Sequence, residues 1–278
     1  MRSELKLRIL SGIVMAAVTL AATWSGGLAF RVLSVLIGLL VFYEWTTITG
    51  LATRDRIGTF LGWAAMALAS VAILTGADRI AGGVIGIAVL STALASLVLP
   101  NGSRWLAGGL AYAGLASLSL AVIRGDDAAG LIAMVFVFAV VWSTDILAFF
   151  VGRAIGGPKL APRISPGKTW SGAIGGAIAA VAIATLVVGS VVPLDGIRLP
   201  LVALVLSVLS QCGDLFESHI KRRFGVKDSG RLIPGHGGVM DRADGLIFAC
   251  VAALFLVLLV TMTGGATGAS AGALLLGL

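Results

Sequence analysis

The chain has few charged residues and only two cysteines. Of its 278 residues, 12% are charged and 58% are hydrophobic, and the mean hydropathy is +1.06. Soluble globular proteins are about 25% charged and about 45–50% apolar, so the composition excludes a water-soluble domain and a disordered chain. Cys212 and Cys250 are too few for a disulfide scaffold. Two histidines and two separated cysteines give no zinc-binding spacing. The composition is therefore that of an integral membrane protein.

Long apolar runs dominate the sequence, and it lacks the alternation of polar and apolar residues that is typical of membrane strands. A membrane-spanning helix needs about 20 mostly apolar residues. We therefore predict an all-α, polytopic membrane protein with nine transmembrane helices and two functional cytoplasmic loops. The predicted helices cover residues 9–24, 28–46, 57–75, 80–99, 105–123, 129–151, 172–192, 199–213 and 245–263.

These helices divide the chain into three regions. Residues 1–128 form an N-terminal transmembrane region of about five helices. Residues 129–263 form a second transmembrane region, which contains both long loops and the expected chemistry. Residues 264–278 form a small, apolar tail without an assigned role.

Basic residues predict the orientation, because cytoplasmic loops of membrane proteins are enriched in Lys and Arg. With a cytoplasmic N-terminus, 16 of the 20 basic residues fall on the cytoplasmic side. Only Arg31, Arg79, Arg124 and Arg198 fall on the opposite side. The net charge of +7 agrees with this topology and with anionic partners, and it is not a sign of nucleic-acid binding.

Two segments between the predicted helices are long, residues 152–171 and 214–244, and both lie on the expected cytoplasmic side. Loops of this kind commonly carry function. Asp145 lies just before the first of them, inside an apolar run. An ionisable group at that depth is costly and points to function. The alternative is an ion pair with Arg153 that joins two helices.

The first long segment is basic and contains no acid. Arg163, Ser165, Lys168 and Thr169 offer hydrogen-bond donors without a competing carboxylate. Such a segment suits a polyphosphate or a lipid phosphate. The alternative is a basic loop that contacts anionic lipid headgroups.

Carboxylates cluster around the second long segment. Asp214 ends an apolar run, and Glu217 and Ser218 share its helix face if the helix continues. Asp241 and Asp244 open the last predicted helix, and their spacing points them towards a shared cation or places them as caps of its positive end. Carboxylates beside cations can hold Mg²⁺ together with substrate phosphates. The candidate metal ligands are Asp145, Asp214, Asp241 and Asp244.

A long motif in the second half resembles a known family, the phosphatidate cytidylyltransferases (CDP-diacylglycerol synthases). It runs Ser-x-x-Lys-Arg, then Lys-Asp, then His-Gly-Gly-x-x-Asp-Arg-x-Asp. Three shorter stretches also look like the family: Trp142-x-x-Asp145, Ser165-Pro166-x-Lys168-Thr169 and Gln211-x-Gly213-Asp214. The Ser-Pro stretch departs from the family at two positions: Gly167 stands where Lys is usual, and Ser171 where Glu is usual. The matching residues are Ser218, Lys221, Arg222, Lys227, Asp228, His236, Gly237, Gly238, Asp241, Arg242 and Asp244.

The resemblance implies conversion of CTP and phosphatidic acid into CDP-diacylglycerol and pyrophosphate, for phospholipid biosynthesis, with one or two Mg²⁺ ions. It also implies a homodimer in the cytoplasmic (inner) membrane, surrounded by membrane lipids, with its active site facing the cytoplasm. We expect five residues in catalysis: Asp214, Asp241, Lys168, Lys221 and Arg222. We expect six in substrate binding: Arg163, Ser165, Ser218, Lys227, His236 and Arg242.

Three alternatives remain open. One is a CDP-alcohol phosphotransferase, whose motif begins like Asp241-x-x-Asp244-Gly245 but continues with Ala-Arg where this chain has Phe248-Ala249. Another is nucleotidyl or phosphoryl transfer to a different membrane lipid, such as a polyprenol. The last is a multi-span transporter of an anionic solute. Transporter sites lie near the bilayer midplane, whereas the charges here gather at one face, which favours an enzyme.

Overall fold

The computed structural model describes residues 2–98, 104–193, 196–264 and 268–278. Within these ranges the chain is predominantly helical, and nine helices are long and apolar enough to cross a membrane. The predicted all-α polytopic fold is therefore confirmed. These nine are α1 (Arg2–Ser25), α2 (Gly27–Ile48), α4 (Arg56–Leu74), α5 (Asp78–Val98), α6 (Arg104–Arg124), α7 (Ala128–Ile155), α8 (Trp170–Gly189), α9 (Arg198–Arg223) and α10 (Met240–Met262). The remaining elements are the short helices α3 (Leu51–Arg54) and α11 (Ala271–Leu276) and the strands β1 (Lys159–Ala161) and β2 (Ser165–Thr169).

Helix α9 is longer than predicted. The apolar run ends before Asp214, but the helix continues to Arg223 because polar residues end a hydrophobic pattern without breaking a helix. Glu217 and Lys221 support this last part of α9 as an i, i+4 ion pair with 2.6 Å between Oε2 and Nζ. The second predicted loop, residues 214–244, is therefore reduced to residues 224–239.

The first predicted loop, residues 152–171, contains a small antiparallel hairpin instead of irregular chain. Strands β1 and β2 pair with Lys159 opposite Thr169 and Ala161 opposite Ser165. The side chain of Thr169 accepts a hydrogen bond from the Gly172 N–H and so caps α8 directly after the hairpin. The hairpin is too short and too polar to show strand-like alternation in the sequence.

The chain divides into two compact units. The first consists of Met1–Val122 and Arg223–Arg242, and the second of Ile123–Arg222 and Ala243–Leu278. The sequence-based division at residue 128 follows chain order. The structure instead groups the loop after α9 with the N-terminal helices.

The core of the first unit is aromatic. Trp45 is 1% exposed, and its indole N–H donates to the Trp105 carbonyl at 2.8 Å. The Arg223 guanidinium lies over the Trp105 ring, 5.3 Å from its centre, and Phe224 packs edge-on against the same ring. These contacts attach the end of α9 and the start of the following loop to α6.

Helices α7 and α8 of the second unit pack closely through glycines. A Cβ on Gly172 would lie 2.6 Å from the Ala148 carbonyl oxygen, and one on Gly176 would lie 2.6 Å from the Thr144 carbonyl oxygen. The Gly172-x-x-x-Gly176 motif therefore marks a contact between two helices of one subunit. In Gly82-x-x-x-Gly86, a Cβ on Gly82 would lie 3.5 Å from Leu118 Cδ2, and one on Gly86 would meet nothing within 4 Å among the described residues.

The C-terminal tail is anchored to the second unit. Helix α11 packs against α7, where a Cβ on Gly272 would lie 2.6 Å from the Gly130 Cα. The guanidinium of Arg198 donates to the Leu274 carbonyl oxygen. Residues 265–267 of the tail lie outside the described ranges.

Candidate active site

Three carboxylates from three helices of the second unit come together. They belong to Asp145 on α7, Asp214 on α9 and Asp244 on α10, and each interacts electrostatically with the other two. Lys168 on strand β2 interacts with Asp145 and Asp244 and is ion-paired with Asp214. Arg153 is not among the electrostatic partners of Asp145 in the described part of the chain. Asp145, Asp214, Asp244 and Lys168 therefore lie within electrostatic range of one another, and their roles in a site stay predictions.

Close backbone packing brings the helices to this point. A Cβ on Gly213 would lie 2.6 Å from the Asp244 carbonyl oxygen and 2.8 Å from the Phe248 Cβ, so α9 and α10 touch where both carry an aspartate. Helices α7 and α9 are joined by a 2.7 Å hydrogen bond between the buried hydroxyls of Thr144 and Ser207. Asp145 follows Thr144 directly and is exposed at the surface of the chain.

The hairpin covers one side of this cluster. Lys168 and Asp214 form their ion pair with side chains 28% and 33% exposed, so a ligand can reach both. The Arg222 guanidinium donates to the Ile164 carbonyl oxygen in the hairpin turn, with a long separation of 3.5 Å. These contacts join the hairpin to α9 at both ends of the polar part of that helix.

The other predicted residues of the second unit lie on α9 or in the hairpin. The Ser218 hydroxyl donates to Asp214 Oδ1 at 3.4 Å, and Lys221 is held by the buried Glu217. Arg163 is exposed and Ser165 is half-buried in the hairpin. Helix α9 and the hairpin, which the ion pair of Lys168 and Asp214 joins, therefore both carry donors for phosphate oxygens.

The two departures from the family motif have different structural settings. The Ser171 hydroxyl donates to the Gly156 carbonyl oxygen and lies 3.1 Å from the Thr169 hydroxyl, so it ties the end of the hairpin to the end of α7. A Cβ on Gly167 would meet nothing within 4 Å. The fold would therefore accept a lysine at position 167, whereas the serine at 171 has a local role.

The first unit holds Asp241 in a different environment. Its Oδ2 accepts hydrogen bonds from the Ser229 N–H at 2.8 Å, the Ser229 hydroxyl at 2.9 Å and the Gly238 N–H at 2.8 Å. This oxygen organises the loop of residues 224–239 and the start of α10. Asp241 lies in the first turn of α10, but these hydrogen bonds come from residues that precede the helix. Its roles as a helix cap and as a metal ligand stay predictions.

The remaining predicted residues lie in the same loop or in the first turn of α10. His236 Nδ1 lies 2.8 Å from the Ser11 hydroxyl on α1, and the Arg242 guanidinium donates to the His236 carbonyl oxygen at 3.0 Å. Lys227 is exposed. Sequence reasoning missed Glu44, a buried acid of α2 that binds this loop. The sequence contained a signal for Glu44: like Asp145, it is an ionisable residue inside a predicted transmembrane helix.

The carboxylate oxygens of the second unit suit Mg²⁺, which prefers carboxylate and phosphate oxygens as ligands. Within the described ranges, no three His, Cys, Asp or Glu side chains lie closely enough to form a ready-made metal site. In proteins, Mg²⁺ is usually bound by one or two carboxylates together with waters and substrate phosphates. Asp145, Asp214 and Asp244 supply carboxylate oxygens of the kind that Mg²⁺ binds.

The fold and these residues define a polytopic membrane protein with a polar site suited to phosphate chemistry. Residues 6–260 match the cytidylyltransferase family, and the chain belongs to that family. It is 51% identical over 256 residues to the phosphatidate cytidylyltransferase of Brucella abortus, covering 91% of this chain and 93% of that protein. It is 35% identical over 265 residues to the phosphatidate cytidylyltransferase of Bacillus subtilis, covering 92% and 98%.

Proposed function

We propose that this protein makes CDP-diacylglycerol and pyrophosphate from CTP and phosphatidic acid. The observation that carries the proposal is the cluster of Asp145, Asp214 and Asp244 with Lys168 in the second unit. This cluster combines oxygen ligands for a divalent cation with a donor for phosphate. Its residues belong to the motifs by which the chain resembles phosphatidate cytidylyltransferases.

The reaction is an in-line displacement at the α-phosphorus of CTP. A phosphate oxygen of the lipid forms a bond to that phosphorus, and the bond from the phosphorus to the α,β-bridging oxygen breaks, so that pyrophosphate leaves. A phosphate monoester has its second pKa near 6 and is mostly dianionic at pH 7, so no general base is needed. The main barrier is repulsion between two anionic reactants, which cationic groups and positioning overcome.

The residues of the second unit divide this task. Lys168, Lys221, Arg222 and Arg163 hold phosphate oxygens, and the hydroxyls of Ser165 and Ser218 add hydrogen bonds. Asp145, Asp214 and Asp244 would hold Mg²⁺, which when bound neutralises charge on the phosphates and on the leaving pyrophosphate. The phosphate-binding roles of Lys227, His236 and Arg242, and the role of Asp241 as a further ligand, rest on the sequence resemblance.

We also propose a homodimer in the inner membrane, with its N-terminus and its site on the cytoplasmic side. The distribution of Lys and Arg supports this orientation. At a water–lipid boundary of that kind, the lipid reaches the site from the bilayer and CTP reaches it from the cytoplasm.

The test uses the purified full-length protein in detergent micelles with CTP labelled at the α-phosphorus. We expect labelled CDP-lipid and an equal amount of pyrophosphate, only when phosphatidic acid and Mg²⁺ are both present. Asp214→Asn should reduce turnover by about 100-fold or more, in the range found for losing one group that stabilises a transition state. Asp126→Asn, an exposed change outside the cluster, should leave turnover unchanged.

Three results would contradict the proposal. One is the absence of pyrophosphate release on adding phosphatidic acid. Another is a product formed only with a polyprenyl phosphate in place of phosphatidic acid. The third is near-normal turnover of Asp214→Asn at low Mg²⁺. Solute accumulation in sealed vesicles without CTP cleavage would support a transporter instead.

A further inference from the structure

Glu44 is a buried carboxylate of α2 whose hydrogen-bond donors all come from one distant part of the chain. It is 1% exposed. Its Oε1 accepts from the Val239 N–H at 2.8 Å, and its Oε2 accepts from the Met240 N–H at 2.8 Å and the Ser229 hydroxyl at 2.9 Å. A buried carboxylate is costly unless donors surround it, so these bonds fix Glu44 and the loop to each other.

The position of these donors explains why a carboxylate is needed. Val239 and Met240 stand at the beginning of α10, where backbone N–H groups have no partner within the helix. Glu44 supplies acceptors to them from a different helix, and its negative charge matches the positive end of the α10 dipole. It therefore caps α10 from α2.

The loop is shaped around this carboxylate. A Cβ on Gly238 would lie 2.4 Å from Glu44 Oε1 and 2.0 Å from the Ser229 hydroxyl oxygen, and a Cβ on Gly230 would lie 2.7 Å from Oε1. Side chains at these two positions would push Glu44 away from the loop. The requirement for glycine at 238, which belongs to the family motif, therefore follows from packing against Glu44 and Ser229.

Ser229 connects Glu44 to Asp241. Its hydroxyl oxygen lies 2.9 Å from Glu44 Oε2 and 2.9 Å from Asp241 Oδ2, and its backbone N–H also donates to Asp241. Because the hydroxyl has one hydrogen, it can donate a full hydrogen bond to only one of the two carboxylates at a time. The orientation of Asp241 thus depends on Glu44 through a single intervening residue.

We propose that Glu44 is a positioning residue: it holds the loop of residues 224–239 and the first turn of α10 in the conformation that presents His236, Asp241 and Arg242 for substrate binding. The part of this inference that concerns substrate rests on the proposed function. The part that concerns the loop does not.

The first experiment measures the loop directly by hydrogen–deuterium exchange of the full-length protein in detergent. Glu44→Gln keeps the shape of the side chain but turns one acceptor oxygen into an NH₂ group that faces backbone donors. We expect peptides covering residues 225–242 to exchange at least tenfold faster. Asp78→Asn is the matched control, because it makes the same change in an ion pair with Arg31 elsewhere in the first unit. It should leave these peptides unchanged.

The second experiment separates positioning from a purely structural effect. In Glu44→Gln we expect the KM for CTP or for phosphatidic acid to rise at least tenfold when rates are normalised to folded protein. A role in folding alone would lower the amount of active enzyme and leave both KM values unchanged. Asp78→Asn should leave both KM values unchanged even if it lowers the yield of folded protein.

Unchanged exchange, or faster exchange with both KM values unchanged, would overturn the inference. If Glu44→Gln does not fold, Ser229→Ala replaces it, since this variant removes the connecting hydroxyl and leaves Glu44 in place. The same two measurements and outcomes then apply. If the unmodified protein shows no turnover, the proposed function fails, while the exchange experiment still decides the role of Glu44 in the loop.

Discussion

Lys168 on strand β2 forms an ion pair with Asp214 on α9. The two residues lie on different elements, and the pair is the most direct link between the basic hairpin and the carboxylate cluster. Lys168 also interacts electrostatically with Asp145 and Asp244. One ammonium group therefore interacts with three carboxylates, and under the proposed function it would bind a phosphate oxygen.

We expect Lys168→Met to lower kcat/KM for CTP by about 100-fold or more, the scale of losing one charged donor to a reacting phosphate. The variant also removes the cation that lies beside Asp145, Asp214 and Asp244. The Mg²⁺ concentration that gives half-maximal turnover should therefore change. Lys159→Met is the matched control, because Lys159 is an exposed lysine on the paired strand β1. Equal losses in both variants would mean that general basicity of the hairpin matters and the specific pair does not.

The close approach of α9 and α10 gives a second prediction. Gly213→Ala places a Cβ 2.6 Å from the Asp244 carbonyl oxygen, and backbone cannot move aside as a flexible side chain can. Overpacking of this kind costs about 1–3 kcal/mol, and here it also displaces Asp214 from Asp244. We expect a lower apparent melting temperature in detergent together with at least a tenfold loss of turnover.

Gly83→Ala is the control for this substitution. It makes the same change in the apolar helix α5, where a Cβ meets nothing within 4 Å. Alanine favours a helix over glycine by about 1 kcal/mol, so stability should stay the same or rise. Full activity of Gly213→Ala would show that the contact between α9 and α10 does not set the geometry of the aspartates.

The transmembrane helices were predictable from the sequence because apolar length alone defines them. Helix α9 was predicted too short, since the pattern of hydrophobicity ends at Asp214 while the hydrogen bonding of the helix does not. The sequence already suggested that Asp145, Asp214 and Asp244 lie near one another. All three are predicted on the same side of the membrane, and all three lie in stretches that resemble the family. Which glycine contacts bring them together could not be read from the sequence.

Glu44 and Asp241 show the limit of reasoning from local patterns. Asp241 stands in a motif, and its spacing to Asp244 indicates a shared cation or a helix cap. Choosing between these roles requires knowing its partner Ser229, which lies in a loop without periodicity. Glu44 interacts with that loop across most of the length of the chain, and no local rule pairs residues so far apart. The need for glycine at position 238 becomes apparent only from that tertiary contact.

Asp127 gives a prediction about pH at the other end of α7. It is the N-cap of α7 and accepts from the Gly130 N–H at 2.8 Å. A hydrogen bond with the Ser270 side chain, together with the bond from Gly130, lowers the pKa of the Asp127 carboxyl below its ordinary value of 3.8. A carboxyl group with a lowered pKa stabilises the folded state above its unfolded pKa, and this contribution is lost as pH falls through the folded pKa.

We therefore expect Asp127→Ala to cost about 1 kcal/mol near neutral pH, the usual contribution of an N-cap. The difference in apparent melting temperature between the unmodified protein and this variant should stay constant down to about pH 4 and shrink below it. Asp126→Ala is the control. It removes a neighbouring carboxylate that also interacts with Arg124, whereas the N-cap of α7 is Asp127. Comparing the two variants separates the loss of the cap from the loss of one negative charge. A difference that persists undiminished well below pH 4 would mean that ionisation of Asp127 adds nothing to stability, because the protonated side chain would then stabilise the fold equally well.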